Sequence, residues 1–147
     1  MIIIFTSLIL ICIDQLVKVI VINKMYNSSI ILVNGVINLT YLENTGGAYG
    51  IGSNNTVMFI ISNFIIIGLL VRFILLKKDE VNTQILIAVS TIIAGGIGNL
   101  IDRIFRGYVI DYIDINPLIK YPVFNIADIC VVIRMHNYCN EFNCKYK

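Results

Sequence analysis

Residues 85–104 read Ile85-Leu86-Ile87-Ala88-Val89-Ser90-Thr91-Ile92-Ile93-Ala94-Gly95-Gly96-Ile97-Gly98-Asn99-Leu100-Ile101-Asp102-Arg103-Ile104. A helix of this length, at about 1.5 Å per residue, crosses a hydrocarbon core of about 30 Å. Polar and charged groups inside such a helix are costly in lipid, which makes Asn99, Asp102 and Arg103 functional candidates by default. The small residues of Gly95-Gly96-x-Gly98 permit close helix packing. Packing explains the glycines but leaves the guanidinium unexplained. On either side the pattern repeats: residues 2–22 and 57–76 are further apolar runs of spanning length. The charged stretch 77–84 between the second and third runs is a short turn that makes them antiparallel neighbours. With 147 residues, 58% hydrophobic, 14% charged and a mean hydropathy of +0.86, the chain reads as an integral membrane protein with no room for a separate soluble catalytic domain. A single membrane-embedded domain, 1–147, is expected. The net charge of +2 is scattered, so nucleic acid is not an expected partner.

A fourth apolar segment begins near Val123 and runs only to Ile133 before Arg134, His136, Asn137, Asn140 and Glu141 follow. It is too short for a full crossing, so the fourth helix reads as truncated or replaced after Ile133, with 134–147 an atypical polar tail. Ser29 to Val33 and Val36 to Leu42 are β-prone runs around Asn34-Gly35, a pair suited to a type I′ hairpin turn. Tyr108 to Ile115 reads as extended, with Val109, Asp111 and Ile113 on one face. Residues 1–13 show neither a basic start nor a cleavage site, so the first segment is expected to stay attached. Cys12 and Cys130 lie in apolar runs and Cys139 and Cys144 in the tail, without any C-x-x-C; a disulfide framework is not expected, and His136 with the tail cysteines is weak evidence for zinc. If the N-terminus is cytoplasmic, Arg72, Lys77, Lys78, Arg134, Lys145 and Lys147 lie inside and Lys18, Lys24, Arg103, Arg106 and Lys120 outside. Setting Lys18 and Arg103 aside as partners of Asp14 and Asp102 favours that orientation by the positive-inside rule.

Asp14 and Lys18 are four apart on the first helix, as are Asn99 and Arg103 on the third, so each pair shares a face. The plain reading of Asp14 and Lys18 is a helix-surface ion pair near an interface. Asp111 and Asp128 flank an interval that leaves the membrane and returns, which lets the chain bring two carboxylates together at the water boundary. Such a pair shares one proton, so one group can take a proton from water while the other donates to a carbonyl oxygen. Asp114 fits the composition equally well, although its side chain should point to the opposite face from Asp111. A zinc or serine peptidase would need histidine, and His136 in the tail is the only one.

Five ordered boxes now resemble the lipoprotein signal peptidase (type II signal peptidase) family: Asp14-x-x-x-Lys18; Asn44-x-Gly46-x-Ala48-Tyr49; Gly95-Gly96-x-Gly98-Asn99-x-x-Asp102-Arg103; Gly107-Tyr108-Val109-Ile110-Asp111-Tyr112; and Phe124-Asn125-x-Ala127-Asp128. The resemblance implies a bundle of four transmembrane helices with a small extracytoplasmic β-sheet, in the bacterial cytoplasmic (inner) membrane. The activity it implies is that of an aspartyl endopeptidase cutting prolipoproteins on the N-terminal side of a diacylglyceryl-modified cysteine. Asp111 and Asp128 match the catalytic pair. Asn44, Gly46, Asn99, Arg103 and Asn125 match residues that line the substrate site, and Asp14 and Lys18 match structural positions. No metal or organic cofactor is implied; the partners are diacylglyceryl-prolipoproteins and membrane lipid, with the protein a monomer. The competing reading is a small polytopic transporter or proton-coupling protein relaying protons through intramembrane Asp and Arg residues. Relay groups should lie near the midplane of several helices, whereas Asp111 is read in a loop and Asp128 at a helix start.

Overall fold

The computed structural model of the chain describes residues 2–132. Three long helices, α1 (Ile2–Met25), α2 (Thr56–Lys77) and α3 (Thr83–Arg106), cover the three expected spans to within three residues at each end. Helix is the form that closes every backbone hydrogen bond within one segment, as the absence of water in lipid requires. α3 is the central element, packed against both α1 and α2. Ala88, Ser90, Ala94, Gly95 and Gly98 are among its buried residues, and their small size lets the neighbours approach. α2 has no buried residue, and Phe64, Ile65 and Leu69 face outward as a lipid-contacting surface should. The turn before α3 ends at Asn82, whose side chain accepts from the Ile85 amide at 2.8 Å as an N-cap. Gly107 closes the helix in the left-handed conformation at φ 86°.

The hairpin forms as β1 (Ser29–Val33) and β2 (Ile37–Asn44), and β3 (Val109–Asp114) pairs with β2 to make an antiparallel sheet of order β1-β2-β3. The type I′ turn is corrected. Val33 pairs with Ile37 across a three-residue loop, and only Gly35, at φ 72°, has positive φ there. The Val36 amide donates to Val33 O at 3.0 Å, so a positive φ at the second centre alone gives the pattern of a type II turn. Val109, Ile110, Asp111 and Tyr112 are all buried, so β3 is covered on both faces. Ile110 and Tyr112 pack on Val21 and Met25 at the end of α1, while Val109 and Asp111 face the opposite way into a pocket. Phe124 then bridges to Ile113, and residues 126–132 form a short fourth helix, α4. Ile133 and the polar tail 134–147, with Arg134, His136, Cys139 and Cys144, lie outside the described residues. The described architecture is thus mostly helical, with three helices long and apolar enough to cross a membrane, the short α4 and the three-stranded sheet.

The glycines of α3 divide by direction. A Cβ on Gly96 would touch the Ile67 side chain of α2 at 3.3 Å, whereas one on Gly98 would stand 2.6 Å from Asp14 Oδ2 of α1. A Cβ on Gly95 would collide with the backbone carbonyl of Ala127 on α4, which cannot move aside as a side-chain tip can. Gly95→Ala is therefore expected to lower stability by about 1–3 kcal/mol through overpacking. Gly68→Ala on α2, with nothing within 4 Å of its Cβ, should be neutral or slightly stabilising because alanine favours helix by up to about 1 kcal/mol. Thermal unfolding of the two variants in detergent checks this; equal melting temperatures would refute the packing argument.

Candidate active site

Lys18 is fully buried, with no exposed surface, and Asp14 is 2% exposed, so they are an interior pair and not the helix-surface ion pair that their spacing suggested. The Lys18 ammonium lies 2.9 Å from Asp14 Oδ2, 2.8 Å from Asp102 Oδ2 and 3.0 Å from Asn99 Oδ1. Each of these partners serves another element. Asp14 Oδ1 accepts the Ala127 amide of α4 at 3.1 Å, and Asp102 Oδ2 accepts the Ile110 amide of β3 at 3.3 Å. The pairing of Arg103 with Asp102 is corrected as well: Asp102 takes Lys18 and Arg106, four residues on along α3. Arg103 reaches instead across to the turn after β2, donating to Gly46 O at 2.9 Å with its guanidinium carbon 5.0 Å from the Phe59 ring centroid. Adjacent numbers on a helix diverge by about 100°, so Asp102 and Arg103 face different neighbours.

The two aspartates stand beside this cluster in a web of amides. Asn44 donates Nδ2 to Asp111 Oδ2 at 2.8 Å while its Oδ1 accepts the Gly46 amide at 2.9 Å. Asn99 donates Nδ2 to Asp128 Oδ1 at 2.8 Å. Asn125 touches both: its Nδ2 donates to Asp111 Oδ1 at 2.6 Å, its backbone amide donates to Asp128 Oδ2 at 3.1 Å, and its Oδ1 accepts the Asp128 amide at 3.0 Å. The last two bonds are a reciprocal capping box that starts α4, with Asn125 as N-cap and Asp128 three residues on. Gly46 is needed for close approach, since a Cβ there would meet Ile51 O at 2.8 Å.

Asn44, Gly46, Asn99, Arg103, Asp111 and Asp128 line one pocket of about 180 Å³, closed on its apolar side by residues such as Phe124 and Val132. Asn125, expected to line the substrate site, is fully buried and stands behind the pocket, holding the aspartates from the rear. Asp114 is outside it, bonded to Asn116. As neighbours of the site, Gln15, Arg106 and Phe59 escaped the sequence reading. Gln15 Nε2 donates to Gly98 O at 3.1 Å and lies 3.4 Å from Asp102 Oδ1. The four-residue spacing of Asp102 and Arg106 was a usable signal, whereas nothing local marks Gln15 or Phe59.

Burial, reinforced by the negative charge of Asp128, pushes the Asp111 carboxyl up to about 7; the hydrogen bonds from Asn44 and Asn125 pull the other way. A carboxyl with that value is an acid that still holds its proton near neutrality, and the second carboxyl, Asp128, lines the same pocket and opposes its ionisation. Helices of spanning length, a small sheet at one end, and a pocket holding two carboxylates define the class: an aspartic-type peptidase built into a membrane.

Comparison with known proteins gives the family. The model of the family described as signal peptidase (SPase) II matches residues 6–139, and the chain belongs to that family. It is 40% identical over 127 residues to the lipoprotein signal peptidase of Halothermothrix orenii, covering 86% of this chain and 84% of that one. It is 39% identical over 134 residues to that of Clostridioides difficile, covering 90% and 88%. Two solved structures, each a bacterial membrane enzyme obtained by the in meso method, match with TM-scores of 0.91 and 0.85 at 31% and 32% identity. The first covers 99% of this chain and 89% of the other; the second covers 95% and 91%.

The raised Asp111 value has a consequence for stability. The folded state holds the proton that the unfolded chain, with the ordinary value of 3.8, releases earlier. This contribution is complete below about pH 4 and is lost as pH rises through about 7. The Asp111 share of the melting temperature should therefore decline between those limits, so the difference between native and Asp111→Asn should shrink as pH rises. Melting curves of both proteins across pH 4 to 8 in detergent check the sign; a native-minus-variant difference that stays flat over that window would show that Asp111 is an ordinary carboxylate.

Proposed function

We propose that Asp111 and Asp128 are the catalytic pair of a lipoprotein signal peptidase that cuts prolipoproteins on the N-terminal side of a diacylglyceryl-modified cysteine. The observation that carries this reading is that Asn125 bonds both aspartates at once beside a pocket at the junction of helices and sheet. In the active form one carboxyl is protonated and the other ionised. The ionised group removes a proton from a water molecule as its oxygen attacks the scissile carbonyl carbon, and the protonated group donates to the carbonyl oxygen. Collapse of the tetrahedral intermediate breaks the C–N bond, the amine leaving with a proton and the pair returning to its starting charge. The neutral amides of Asn44 and Asn99 hold the carboxylates without forming ion pairs, which leaves one of them able to keep its proton. Arg103 supplies a buried positive charge at the pocket, suited to a substrate carbonyl.

The same reading orients the molecule. The pair and the sheet lie on the extracytoplasmic side of the bacterial cytoplasmic membrane, and the diacylglyceryl group rests in the bilayer beside the helices. The protein works as a monomeric single domain, with prolipoprotein and membrane lipid as its partners. Thiol labelling of Asp79→Cys and Lys120→Cys in a background without native cysteines tests the topology: in intact cells an impermeant reagent should reach position 120 and not 79, and the reverse would invert it. The relay alternative is disfavoured because Asp111 and Asp128 sit on β3 and the first turn of α4 and not midway along spans.

Because the pair works as a unit, Asp111→Asn and Asp128→Asn should each lower kcat by at least about a thousandfold, and the double variant by little more. Asp114→Asn, on the far face, should keep its activity. The native pH profile should be bell-shaped, its limbs belonging to the pair. Cleavage of a diacylglyceryl-modified precursor but not the unmodified one, followed by gel shift, is the expected result; turnover by Asp111→Asn at the native rate would sink the assignment.

A further inference from the structure

A buried side-chain amide has two orientations, related by a half-turn, and what surrounds it decides which one it takes. Asn99 has three polar neighbours of known kind. Lys18 Nζ and Asn125 Nδ2, donors only, stand 3.0 and 3.1 Å from its Oδ1, and Asp128 Oδ1 stands 2.8 Å from its Nδ2. The half-turn would set its Nδ2 against an ammonium and an amide donor and its oxygen against a carboxylate. Asn125 alone fixes this weakly, because its Nδ2 also serves Asp111 at 2.6 Å and Ile110 O at 3.3 Å. Lys18 cannot compromise: an ammonium has no acceptor, and its other two protons are directed to Asp14 and Asp102.

We infer that Lys18 is a positioning residue of the peptidase reaction, acting through Asn99 to hold a donor on Asp128 and placing a positive charge behind the carboxylate pair. This rests on the reading of Asp111 and Asp128 as that pair. The structural role that the spacing suggested accounts for the bonds to Asp14 and Asp102, but not for the third proton. Among the described residues, the charged groups around the pair are Asp14 and Lys18 on α1, Asp102, Arg103 and Arg106 on α3, and the two carboxylates themselves on β3 and α4; β2 contributes the uncharged Asn44, its Glu43 being bonded to Tyr41.

The sign of the effect separates positioning from scaffolding. Removing a positive charge near a carboxylate pair moves both of its macroscopic titrations to higher pH, and removing a negative charge moves them lower. Lys18→Met alone would leave Asp14 and Asp102 sharing only Arg106, so the variant to use is Lys18→Met with Asp14→Asn, which conserves the charge of the cluster. The probe is a fluorogenic peptide bearing a diacylglyceryl-modified cysteine, with the protein in detergent and folding followed by circular dichroism. Asp14→Asn alone is the reference, because the double variant differs from it only by the Lys18 charge: relative to that reference both limbs of the kcat profile should move up by about one pH unit. At the optimum kcat should fall at least about tenfold with KM unchanged, as when a group that orients a reacting side chain is lost. Asp14→Asn alone keeps Lys18 on Asn99, and its limbs should move down or stay. Lys18→Gln with Asp14→Asn, which puts an uncharged donor in the same space, carries the measurement if the Met variant does not fold. Limbs of either folded double variant that coincide with those of Asp14→Asn alone, with kcat within twofold of native, overturn the inference while leaving the proposed function intact. A native protein that leaves the peptide uncut overturns the function, and the inference with it.

Discussion

One ammonium, that of Lys18, organises the interior. It has no exposed surface, and it bonds Asp14 on its own helix, Asp102 on α3 and Asn99 one turn before Asp102. Burying a charge is costly unless it is fully paired, and removing one partner from such a cluster destabilises by roughly 3–5 kcal/mol because the others are left uncompensated. Each partner of Lys18 then holds a different part of the chain: Asp14 the start of α4, Asp102 the start of β3, Asn99 the carboxylate of Asp128. Segments far apart in the sequence are thereby referred to one point.

The cluster is arranged so that ion pairing stops short of the pocket. Lys18, Asp14, Asp102 and Arg106 pair with one another, whereas Asp111 and Asp128 are met directly by asparagine amides. Had a lysine or arginine bonded Asp111 directly, its carboxyl would ionise readily and could not hold a proton near pH 7. Neutral donors fix the geometry of both groups and leave burial and the charge of Asp128 to hold the Asp111 carboxyl up. This is the electrostatic condition for acid and base to coexist in one pair.

Space is governed with equal economy. Gly95 and Gly98 bring α3 against the carbonyl of Ala127 and the carboxylate of Asp14, and Gly46 lets the turn after β2 fold back on Ile51. α1 and α2 present large apolar side chains outward, where lipid and not protein receives them. The described protein interior is accordingly small and polar around the site, and the bilayer completes the apolar surroundings.

The sequence by itself determined the three long helices, because twenty consecutive apolar residues have few alternatives in lipid. It also marked the hairpin through Asn34-Gly35, and the two aspartates through five ordered boxes. Periodicity put Asp14 with Lys18 and Asn99 with Arg103, since four residues nearly complete a helical turn. Only the tertiary structure decided which of these faces meets which. Lys18 is read from the sequence as half of a surface pair and becomes a hub because α3 crosses α1 at Asp102 and Asn99. Arg103 is read as the partner of Asp102 and turns to Gly46, because the chain before α2 closes over it. Asn125 is read as a wall of the pocket and lies behind it, because the capping box that begins α4 directs its amide inward to Asp111. Helical spacing specifies which residues share a face, but partners more than about 80 positions away, such as Asp102 for Lys18, arise only when separately folded segments pack, and no local pattern encodes that distance.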